Sequence, residues 1–323
     1  MGVLMGITVL SLCDGIAGAR VALERCGIPV DAYYSAEIKP HAIQCATENY
    51  PDIVPLGDVR EVNYKDGVLH CAGGTYKVPH FDLVCFGSPC QTFSNAMVAD
   101  MRIGLEDDKK SGLFYECYRI LQEVNPTYFF VENVSGMRDS DKEILSRMLG
   151  CEPIRIDSQT IAPAMRKRYY WTNIPYTEIV PNPQATLSSI LEYGYTDRRK
   201  ARCLTANNPL EGYADYAKKF RRFYERGFST MIYEDEEHCL ECQALYKPYQ
   251  KMKATEFEEA TANDLSLHLA CKKVRELTQL EMERCQTLPD GYTKMLSWEK
   301  AFDVIGDGWT IDVICAFFRN IKY

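Results

Sequence analysis

The chain has 323 residues, of which 46% are hydrophobic and 25% are charged, and its formal net charge is −8. This composition is that of an ordinary globular protein, and no apolar stretch reaches the roughly 20 residues that span a bilayer. The net acidity by itself argues mildly against a nucleic-acid partner. The start of the chain has no basic segment, so we expect no signal peptide. Its 14 cysteines are scattered through strand and helix patterns, which favours free thiols in a reducing compartment.

Strand and helix patterns alternate over residues 1–170, which predicts a doubly wound α/β sheet. A small hairpin excursion interrupts the alternation at residues 63–79, with turns at residues 65–67 and 73–74. The predicted strands are Ile7–Leu12, Ala32–Ala36, Ile53–Leu56, Asp82–Phe86, Thr127–Val131 and Pro153–Ile156. The predicted helices are Gly18–Cys26, Pro40–Asn49, Gly112–Glu123 and Ser140–Leu149.

The pattern changes near Pro175. Three prolines lie within residues 174–184, which suits a linker or a sheet edge. The residues that follow lose the strand–helix alternation and are rich in Tyr, Lys and Arg, so we predict a second, irregular domain there. Regular patterning resumes at Val274. The apolar residues of the tail, at 309–319, predict a helix that packs back on the first domain.

A thiol and a carboxylate follow two of the predicted strands. The strand that ends at Phe86 leads through Gly87 to Cys90, and the next strand leads to Glu132. Open α/β sheets carry their chemistry on such loops, at the carboxyl ends of strands. A cysteine in this position is by itself most often a buried structural thiol. Together with an acid from a neighbouring strand, it forms a candidate pair of nucleophile and acid.

Three strand ends in succession carry features of a nucleoside-binding site. The first strand runs through Asp14, Gly15 and Gly18 into a helix, and such a turn brings backbone N–H groups close to a ligand. Glu37 follows the second strand, where an acid accepts ribose hydroxyls. Asp58 follows the third, where a carboxylate receives an adenine amino group. The turn does not match the dinucleotide fingerprint, and each acid alone is more typical of an exposed loop.

In this order the motifs resemble those of the cytosine-C5 DNA methyltransferases, and the resemblance covers nearly the whole chain. The motifs are Asp14-Gly15, Glu37, Asp58, Pro89-Cys90-Gln91, Glu132-Asn133-Val134, Arg166-Lys167-Arg168, Val274 to Thr278, Leu288 to Tyr292 and Gly306-Asp307-Gly308-Trp309. The resemblance implies an α/β, Rossmann-like methyltransferase sheet, mostly parallel with one reversed strand, and a smaller irregular target-recognition domain. It places the catalytic domain at residues 1–175 and 296–323 and the recognition domain at residues 176–295. It also implies S-adenosyl-L-methionine as the cofactor and a cytosine in double-stranded DNA as the substrate.

The resemblance assigns the chemistry to four residues. The Cys90 thiolate would add to C6 of a cytosine flipped out of the duplex, because this addition lets C5 attack a methyl group. Glu132 would hold the base at N3 and the 4-amino group, and would donate to N3 when protonated. Arg166 and Arg168 alternate on an expected strand, so both would face the substrate; Arg168 would reach the base O2 and Arg166 would support the loop. Residues 92–108 would close over the flipped base.

The expected cofactor contacts lie in the loops after the first three strands, at the start of the helix after the catalytic loop, and near the end of the chain. They are Cys13, Asp14, Gly15, Ile16, Ala17, Gly18, Glu37, Ile38, Asp58, Val59, Leu113, Asp307, Gly308 and Trp309. Three depart from the family pattern: Cys13 replaces an aromatic residue, Ala17 a glycine and Asp307 an asparagine. Asp307 would either accept a hydrogen bond from the cofactor's ammonium group or lower its affinity, and the sequence leaves both open.

The acidic chain contains one basic segment. Residues 197–226 hold nine basic and four acidic side chains, which suits phosphate contacts, although a solvated helix face is the common alternative. The expected DNA contacts are Gln91, Ser94, Arg202, Lys218, Lys219, Arg221 and Arg222. Cys239 and Cys242 form one C-x-x-C pair, which supplies too few ligands for a zinc site, so we expect no metal.

Three other functions stay open. An RNA cytosine methyltransferase would share the scaffold, but Gln91 to Ser94 resembles the DNA branch. A catalytically silent DNA-binding protein would not need both Cys90 and Glu132. A nucleotide-dependent oxidoreductase is disfavoured by the missing dinucleotide fingerprint. We expect a stand-alone, monomeric enzyme of the restriction–modification kind, without a membrane partner, in the cytoplasm of a bacterial or phage-infected cell.

Overall fold

The computed structural model describes residues 6–89, 105, 112–205, 215–225, 227 and 230–323. The chain divides into two compact units. The first unit consists of Met1–Asp157, Lys167–Val180 and Gly308–Tyr323, and the second of Ser158–Arg166 and Pro181–Asp307. Within the described part, no helix is long and apolar enough to cross a membrane.

Seven strands of the first unit form one sheet. The strands found in the described residues, β1 to β10, are Ile7–Leu12, Val30–Ala36, Ile53–Pro55, Asn63–Lys65, Val68–Cys71, Gly74–Lys77, Leu83–Phe86, Tyr128–Val134, Ile154–Asp157 and Lys167–Thr172. The large sheet has the order β3–β2–β1–β7–β8–β10–β9. Its pairings are parallel except those of β10, which runs antiparallel to both β8 and β9. The predicted fold, a mostly parallel α/β sheet with one reversed strand, is confirmed.

Helices flank this sheet. The helices found in the described residues, α1 to α11, are Gly18–Arg25, Pro40–Asn49, Leu113–Val124, Asp139–Leu149, Tyr216–Tyr224, Glu236–Tyr246, Ala254–Thr261, Leu265–Lys272, Gln279–Cys285, Trp298–Asp307 and Ile311–Phe318. Pro40 stands in the first turn of α2, where its fixed φ favours helix formation. The buried side of α3 includes Phe114 and Ile120, which pack into the core cluster that also contains Val84 of β7.

The register of the sheet brings four loops to one edge. Leu12 at the end of β1 is paired with Ala36 of β2 and with Phe86 of β7, and Phe86 is paired with Val131 of β8. The residues that follow these partners are Cys13, Glu37, Gly87 and Glu132. Because parallel strands end on the same side, this carboxyl edge collects the loops that carry most of the predicted motifs.

Strands β8 and β10 differ from their predicted limits. β8 continues three residues past the predicted end, because Glu132 pairs with Tyr170, and Val134 with Arg168, of the reversed strand. Glu132 is therefore part of a strand rather than of the loop after it. β10 begins at Lys167, so Arg166 does not share a strand face with Arg168.

The excursion at residues 63–79 folds as β4, β5 and β6, an antiparallel three-stranded sheet. Its first turn contains Asp66 and Gly67, both with positive φ (52° and 77°), which is the geometry of a type I′ hairpin turn. The predicted tail helix is confirmed as α11, which belongs to the first unit. It packs on α1, where Arg25 and Asp312 form an ion pair of 2.7 Å.

The second unit is largely helical, whereas the sequence indicated no regular elements over residues 184–273. Helices α5, α6 and α8 each begin at an aspartate whose side chain accepts a backbone N–H of the first turn: Asp215, Asp235 and Asp264. Such caps stabilise helix starts. The side chains buried between these helices form a core of their own, which includes Phe220, Phe223, Tyr246, Phe257 and Leu267.

Candidate active site

The turn between β1 and α1 has an unusual backbone. Cys13, Gly15 and Ala17 all have positive φ, at 51°, 61° and 58°. Residues other than glycine rarely adopt this conformation, so two of the three positions hold strain of the kind that collects at ligand sites. Ala17 is the N-cap of α1, and within the described residues no side chain caps it. The helix start therefore presents backbone N–H groups, as predicted for this turn.

The Asp14 side chain anchors this turn through hydrogen bonds to the first two strands. Its Oδ1 accepts hydrogen bonds from Ser11 Oγ at 2.5 Å and Tyr33 OH at 2.7 Å, and its Oδ2 accepts one from Ser35 Oγ at 2.8 Å. Desolvation raises the pKa of Asp14 to about 6, although the three hydroxyl groups counteract it. The Asp14 side chain is thus hydrogen-bonded to residues of β1 and β2, and the Asp14 backbone forms part of the turn. The sequence did not indicate the three hydroxyl partners.

Glu37 joins the loops that follow β1 and β2. Its Oε2 accepts the N–H of Gly15 at 2.8 Å, and its Oε1 accepts the N–H groups of Ile38 and Lys39 at 2.8 and 2.9 Å. Beside it, Ile38 is 61% exposed, which is unusual for a large apolar side chain next to three ordered loops. A carboxylate beside an exposed apolar side chain matches the chemistry of a ribose joined to a flat base.

Asp58 and Val59 follow β3. The Asp58 carboxylate accepts from the backbone N–H of Arg60 at 3.0 Å and pairs with its guanidinium. The hydrogen bond from this guanidinium lowers the pKa of Asp58. Val59 is buried. Leu113, another expected cofactor contact, is the first residue of α3 and is half-buried.

Asn133 holds the loop that leaves β7. Its Nδ2 donates to the carbonyl of Ser88 at 3.2 Å and to Ser88 Oγ at 3.1 Å, and its Oδ1 accepts the N–H of Val134 at 2.8 Å. This side chain is buried, so it fixes the backbone two residues ahead of Cys90. The sequence motif contains Asn133 but does not indicate this role for it. Cys90 itself, with Gln91 and Ser94, lies outside the described residues.

Glu132 is clamped from two sides. Arg168 Nε lies 2.7 Å from its Oε1, and Trp309 Nε1 donates to its Oε2 at 3.2 Å. Glu132 is only 7% exposed, so both charges of the ion pair are largely shielded from water. A Cβ on Gly87 would lie 3.0 Å from Trp309 Nε1 and 3.1 Å from Glu132 Oε2. Glycine is thus required at position 87 because Trp309 and Glu132 lie so close to its backbone. The structure brings the predicted site residues Glu132, Arg168 and Trp309 together.

Arg166 has different partners. Its guanidinium donates to the carbonyls of Leu204 at 3.3 Å and Gly306 at 3.1 Å, and all three residues belong to the second unit. The last motif is divided between the units: Asp307 ends α10 in the second, whereas Gly308 and Trp309 precede α11 in the first.

Several residues of the basic segment are engaged within the second unit. Lys218 lies 3.1 Å from Glu258. Arg221 pairs with Glu225 at 3.3 Å and stands over the Phe257 ring at 4.5 Å. These contacts stabilise α5, and they leave the predicted role in DNA binding untested.

The C-x-x-C pair is part of a helical core. Cys239 and Cys242 are buried on α6. The ring of His238 accepts the N–H of Glu234 at 3.1 Å and contacts the carbonyl of Ala270 at 2.9 Å. The described residues contain no group of three or more His, Cys, Asp or Glu side chains that could hold a metal ion.

Comparison with known proteins agrees with the edge of the sheet described above. Residues 7–150 match the family model described as C-5 cytosine-specific DNA methylase. Over this segment the chain is similar to that family. The match contains the β1–α1 turn, Glu37, Asp58, Gly87 and Glu132, and it confirms the resemblance seen in the sequence.

Two relatives are bacterial and phage proteins. Type II methyltransferase M.NgoBV of Neisseria gonorrhoeae is 28% identical over 214 residues, which are 58% of this chain and 47% of that protein. Orphan methyltransferase M.Rho11sI of Bacillus phage rho11s is 33% identical over 176 residues, which are 51% of this chain and 32% of that protein. The matches thus span less than half the length of these relatives.

A solved structure is similar over nearly the whole chain. A mutant of DNMT2 from Spodoptera frugiperda superposes with a TM-score of 0.63 at 18% identity, and the match covers 96% of this chain and 98% of that one. At this identity the similarity shows a shared fold, and it extends over both units.

Proposed function

We propose that this protein transfers a methyl group from S-adenosyl-L-methionine to C5 of a flipped-out cytosine within a specific sequence of double-stranded DNA. The reaction passes through a covalent bond between Cys90 and C6 of the base. One observation carries the proposal: Glu132, clamped by Arg168 and Trp309, lies at the edge where Asn133 holds the backbone that leads to Cys90. The family match over residues 7–150 supports it.

The cofactor side of this edge has the groups that a nucleoside with an attached amino acid needs. Backbone N–H groups of the β1–α1 turn, the Glu37 carboxylate and the exposed Ile38 offer hydrogen bonds and an apolar surface. Asp58, Val59, Leu113 and Trp309 complete the expected set. When bound, S-adenosyl-L-methionine supplies a methyl group on a positively charged sulfur.

On the substrate side, the residues of the chain act on the base. The thiolate of Cys90 adds to C6, which converts C5 into a nucleophile. Glu132 in its protonated form donates to N3, where negative charge develops, and accepts from the 4-amino group. Arg168 orients Glu132 and reaches toward the base O2. After C5 has taken the methyl group, loss of the C5 proton to solvent allows the Cys90 sulfur to leave, and the free thiolate is restored.

The base must leave the duplex for this chemistry, at a cost of a few kcal/mol. We propose that residues 176–295 form the recognition domain that binds the duplex, and that Gln91 and Ser94 contact the DNA beside the flipped base. Lys218, Lys219, Arg221 and Arg222 supply positive charge, and Arg166 supports the backbone of its unit.

The printed names of the relatives, a type II methyltransferase and an orphan methyltransferase of a phage, suggest the biological setting. We place this chain in the same setting, as a monomeric modification enzyme in the cytoplasm of a bacterial or phage-infected cell.

The test is transfer of labelled methyl groups from S-adenosyl-L-methionine to duplex DNA by the purified protein. We expect transfer by the wild type, none by Cys90→Ser, and undiminished transfer by Cys71→Ser, which changes a thiol in the small antiparallel sheet. Label that appears on RNA and not on DNA would refute the proposal that DNA is the substrate. Transfer by Cys90→Ser at the wild-type rate would refute the covalent step.

A further inference from the structure

We propose that Arg202 and Arg198 of the second unit form a binding site for an oxyanion, and that a phosphate group of the DNA backbone occupies it. The inference rests on the proposed function and deepens it, because it names the side chains that hold the backbone of the substrate. Arg198 was not among the expected DNA contacts, whereas Arg202 was.

The backbone that carries Arg202 is held on both sides. The N–H of Ala201 donates to the carbonyl of Pro163 at 2.8 Å, and its carbonyl accepts the N–H of Met165 at 3.0 Å. The N–H of Arg202 donates to Thr230 Oγ1 at 2.9 Å. An arginine on an anchored segment loses less conformational freedom when it binds a ligand, so it is pre-organised for binding.

Within the described ranges, the Arg202 guanidinium has no counter-charge. Among the described residues, no acceptor takes a hydrogen bond from it and no carboxylate pairs with it, and its buried Nε is unsatisfied. Desolvation and, next, the charge of Arg198 lower the pKa of Arg202. A half-buried cation beside a second cation costs stability unless an anion binds. An uncompensated arrangement of this kind marks a ligand site.

Arg198 is held near Gly227, the residue that the Arg202 guanidinium contacts, because the Phe223 carbonyl accepts both Arg198 Nη2 and, at 3.1 Å, the N–H of Gly227. Its Nη2 donates to the carbonyls of Phe223 and Tyr224 at 3.3 and 3.4 Å, which are the last carbonyls of α5. Its Nε lies 3.8 Å from Asp197 Oδ1, and its buried Nη1 has no acceptor among the described residues. Because the helix end holds this side chain, it does not move away from Arg202 to relieve the repulsion.

Gly227 gives the Arg202 guanidinium its position. A Cβ on Gly227 would lie 3.0 Å from Arg202 Cζ and 3.1 Å from its Nε and Nη2. The φ of Gly227 is +64°, a conformation that glycine adopts without strain. The backbone therefore contacts the guanidinium directly at this point and defines one wall of the site.

A phosphate diester fits this pair better than a carboxylate of the chain does. Guanidinium groups present planar, fork-shaped donors that match phosphate oxygens. The pair lies in the segment with nine basic and four acidic residues, within a chain whose net charge is −8. Positive charge that is concentrated in one segment of an acidic protein suits a polyanion, and phosphate contacts position a duplex without reading its sequence.

The test compares duplex DNA binding by Arg202→Gln, Arg202→Lys and Lys273→Gln at several salt concentrations, with thermal unfolding of each variant. Lys273→Gln removes the same charge from the same unit, where the ammonium pairs with Glu234 at 3.4 Å. We expect Arg202→Gln to weaken binding about tenfold and to make the slope of log affinity against log salt shallower by about one. Arg202→Lys should keep the slope and lose part of the affinity. Lys273→Gln should bind like the wild type.

The unfolding temperature separates a binding role from a structural one. Because Arg202→Gln removes an unpaired cation next to Arg198, its unfolding temperature should equal or exceed that of the wild type. Equal binding by Arg202→Gln and Lys273→Gln, or a clearly lower unfolding temperature of Arg202→Gln, would overturn the proposal. If binding depends on Arg202 but no methyl group reaches DNA, the anion site stands and the proposed function fails. A wild type that binds no duplex overturns both.

Discussion

The carboxyl edge of the sheet and the basic segment of the second unit differ in whether their charged groups have partners within the described chain. At the edge, Glu132 is paired with Arg168 and hydrogen-bonded to Trp309, and Glu37 accepts three backbone N–H groups. In the second unit, Arg202 stands beside Arg198 without an acceptor among the described residues. The described charged groups of the first region are thus paired within the chain, whereas the proposed anion site of the second region is not.

Under the proposed function, this difference separates two tasks. Groups that act on a base must be held in one geometry, because rate depends on precise placement of reacting atoms. Groups that bind a phosphate backbone need charge and access, and an internal partner would compete with the ligand. This expectation agrees with the internal ion pair at the proposed catalytic edge and with the lack of one, among the described residues, at the proposed anion site.

Replacing Glu132 with Gln gives the largest expected effect and sharpens this contrast. The rate of methyl transfer should fall by about 10²–10⁴-fold, because the amide cannot donate a proton to N3. The free energy of unfolding should also fall by about 3 kcal/mol, because the largely buried Arg168 loses its carboxylate partner. Steady-state kinetics and denaturant unfolding measure the two effects.

Glu143→Gln is the matched control, since Glu143 is exposed on α4 and should change neither quantity. The contrast between the regions breaks if Glu132→Gln and Arg202→Gln shift stability in the same direction. It is sharpened if Glu132→Gln destabilises the protein while Arg202→Gln does not.

Asp14 provides a smaller effect that depends on pH. Its pKa is raised to about 6 in the folded protein, against about 3.9 in an unfolded chain. The folded state therefore binds the proton more tightly, so this group's contribution to stability is largest below pH 4 and is lost as the pH rises through 6. From pH 4 to pH 7 the loss is about 2 kcal/mol. The unfolding free energy of wild type minus that of Asp14→Asn should fall by about this amount, as measured by denaturant unfolding at each pH.

A difference between wild type and Asp14→Asn that stays constant from pH 4 to pH 7 would contradict the raised pKa. It would also remove the reason for assigning the carboxylate to a structural position beneath the turn. Tyr33→Phe, which removes one of the three hydroxyl donors, should steepen the dependence, because a donor to the ionised form is lost.

Local patterns predicted the sheet well because parallel strands buried on both faces read as short apolar runs. The limits of β1 and α2 agree with prediction at both ends, since a polar turn or a proline bounds them. The length of β8 was not predictable from local pattern, because its extra residues are held by pairing with the reversed strand. That pairing joins residues more than 30 positions apart, which no local pattern records.

In the candidate site too, features set by local motifs were predicted and features set by distant contacts were not. Motifs predicted Glu37 and Glu132 at the carboxyl edge, and the register of the strands brings both there. The partners of Asp14, the role of Asn133 and the different surroundings of Arg166 depend on distant contacts that the sequence does not display. The helices of the second unit were not predicted, because the rich mixture of Tyr, Lys and Arg obscured their apolar periodicity.

The central claim is that the sulfur of Cys90 bonds to the pyrimidine ring, and trapping with 5-fluorocytosine tests it most directly. In duplex DNA that carries this base, fluorine replaces the C5 proton, so elimination stalls after methyl transfer. The account predicts a denaturation-resistant complex of protein and DNA for the wild type, absent from Cys90→Ser and linked through Cys90 when mapped by mass spectrometry. A protein that methylates duplex DNA yet forms no such complex, or that is linked through another residue, would contradict it.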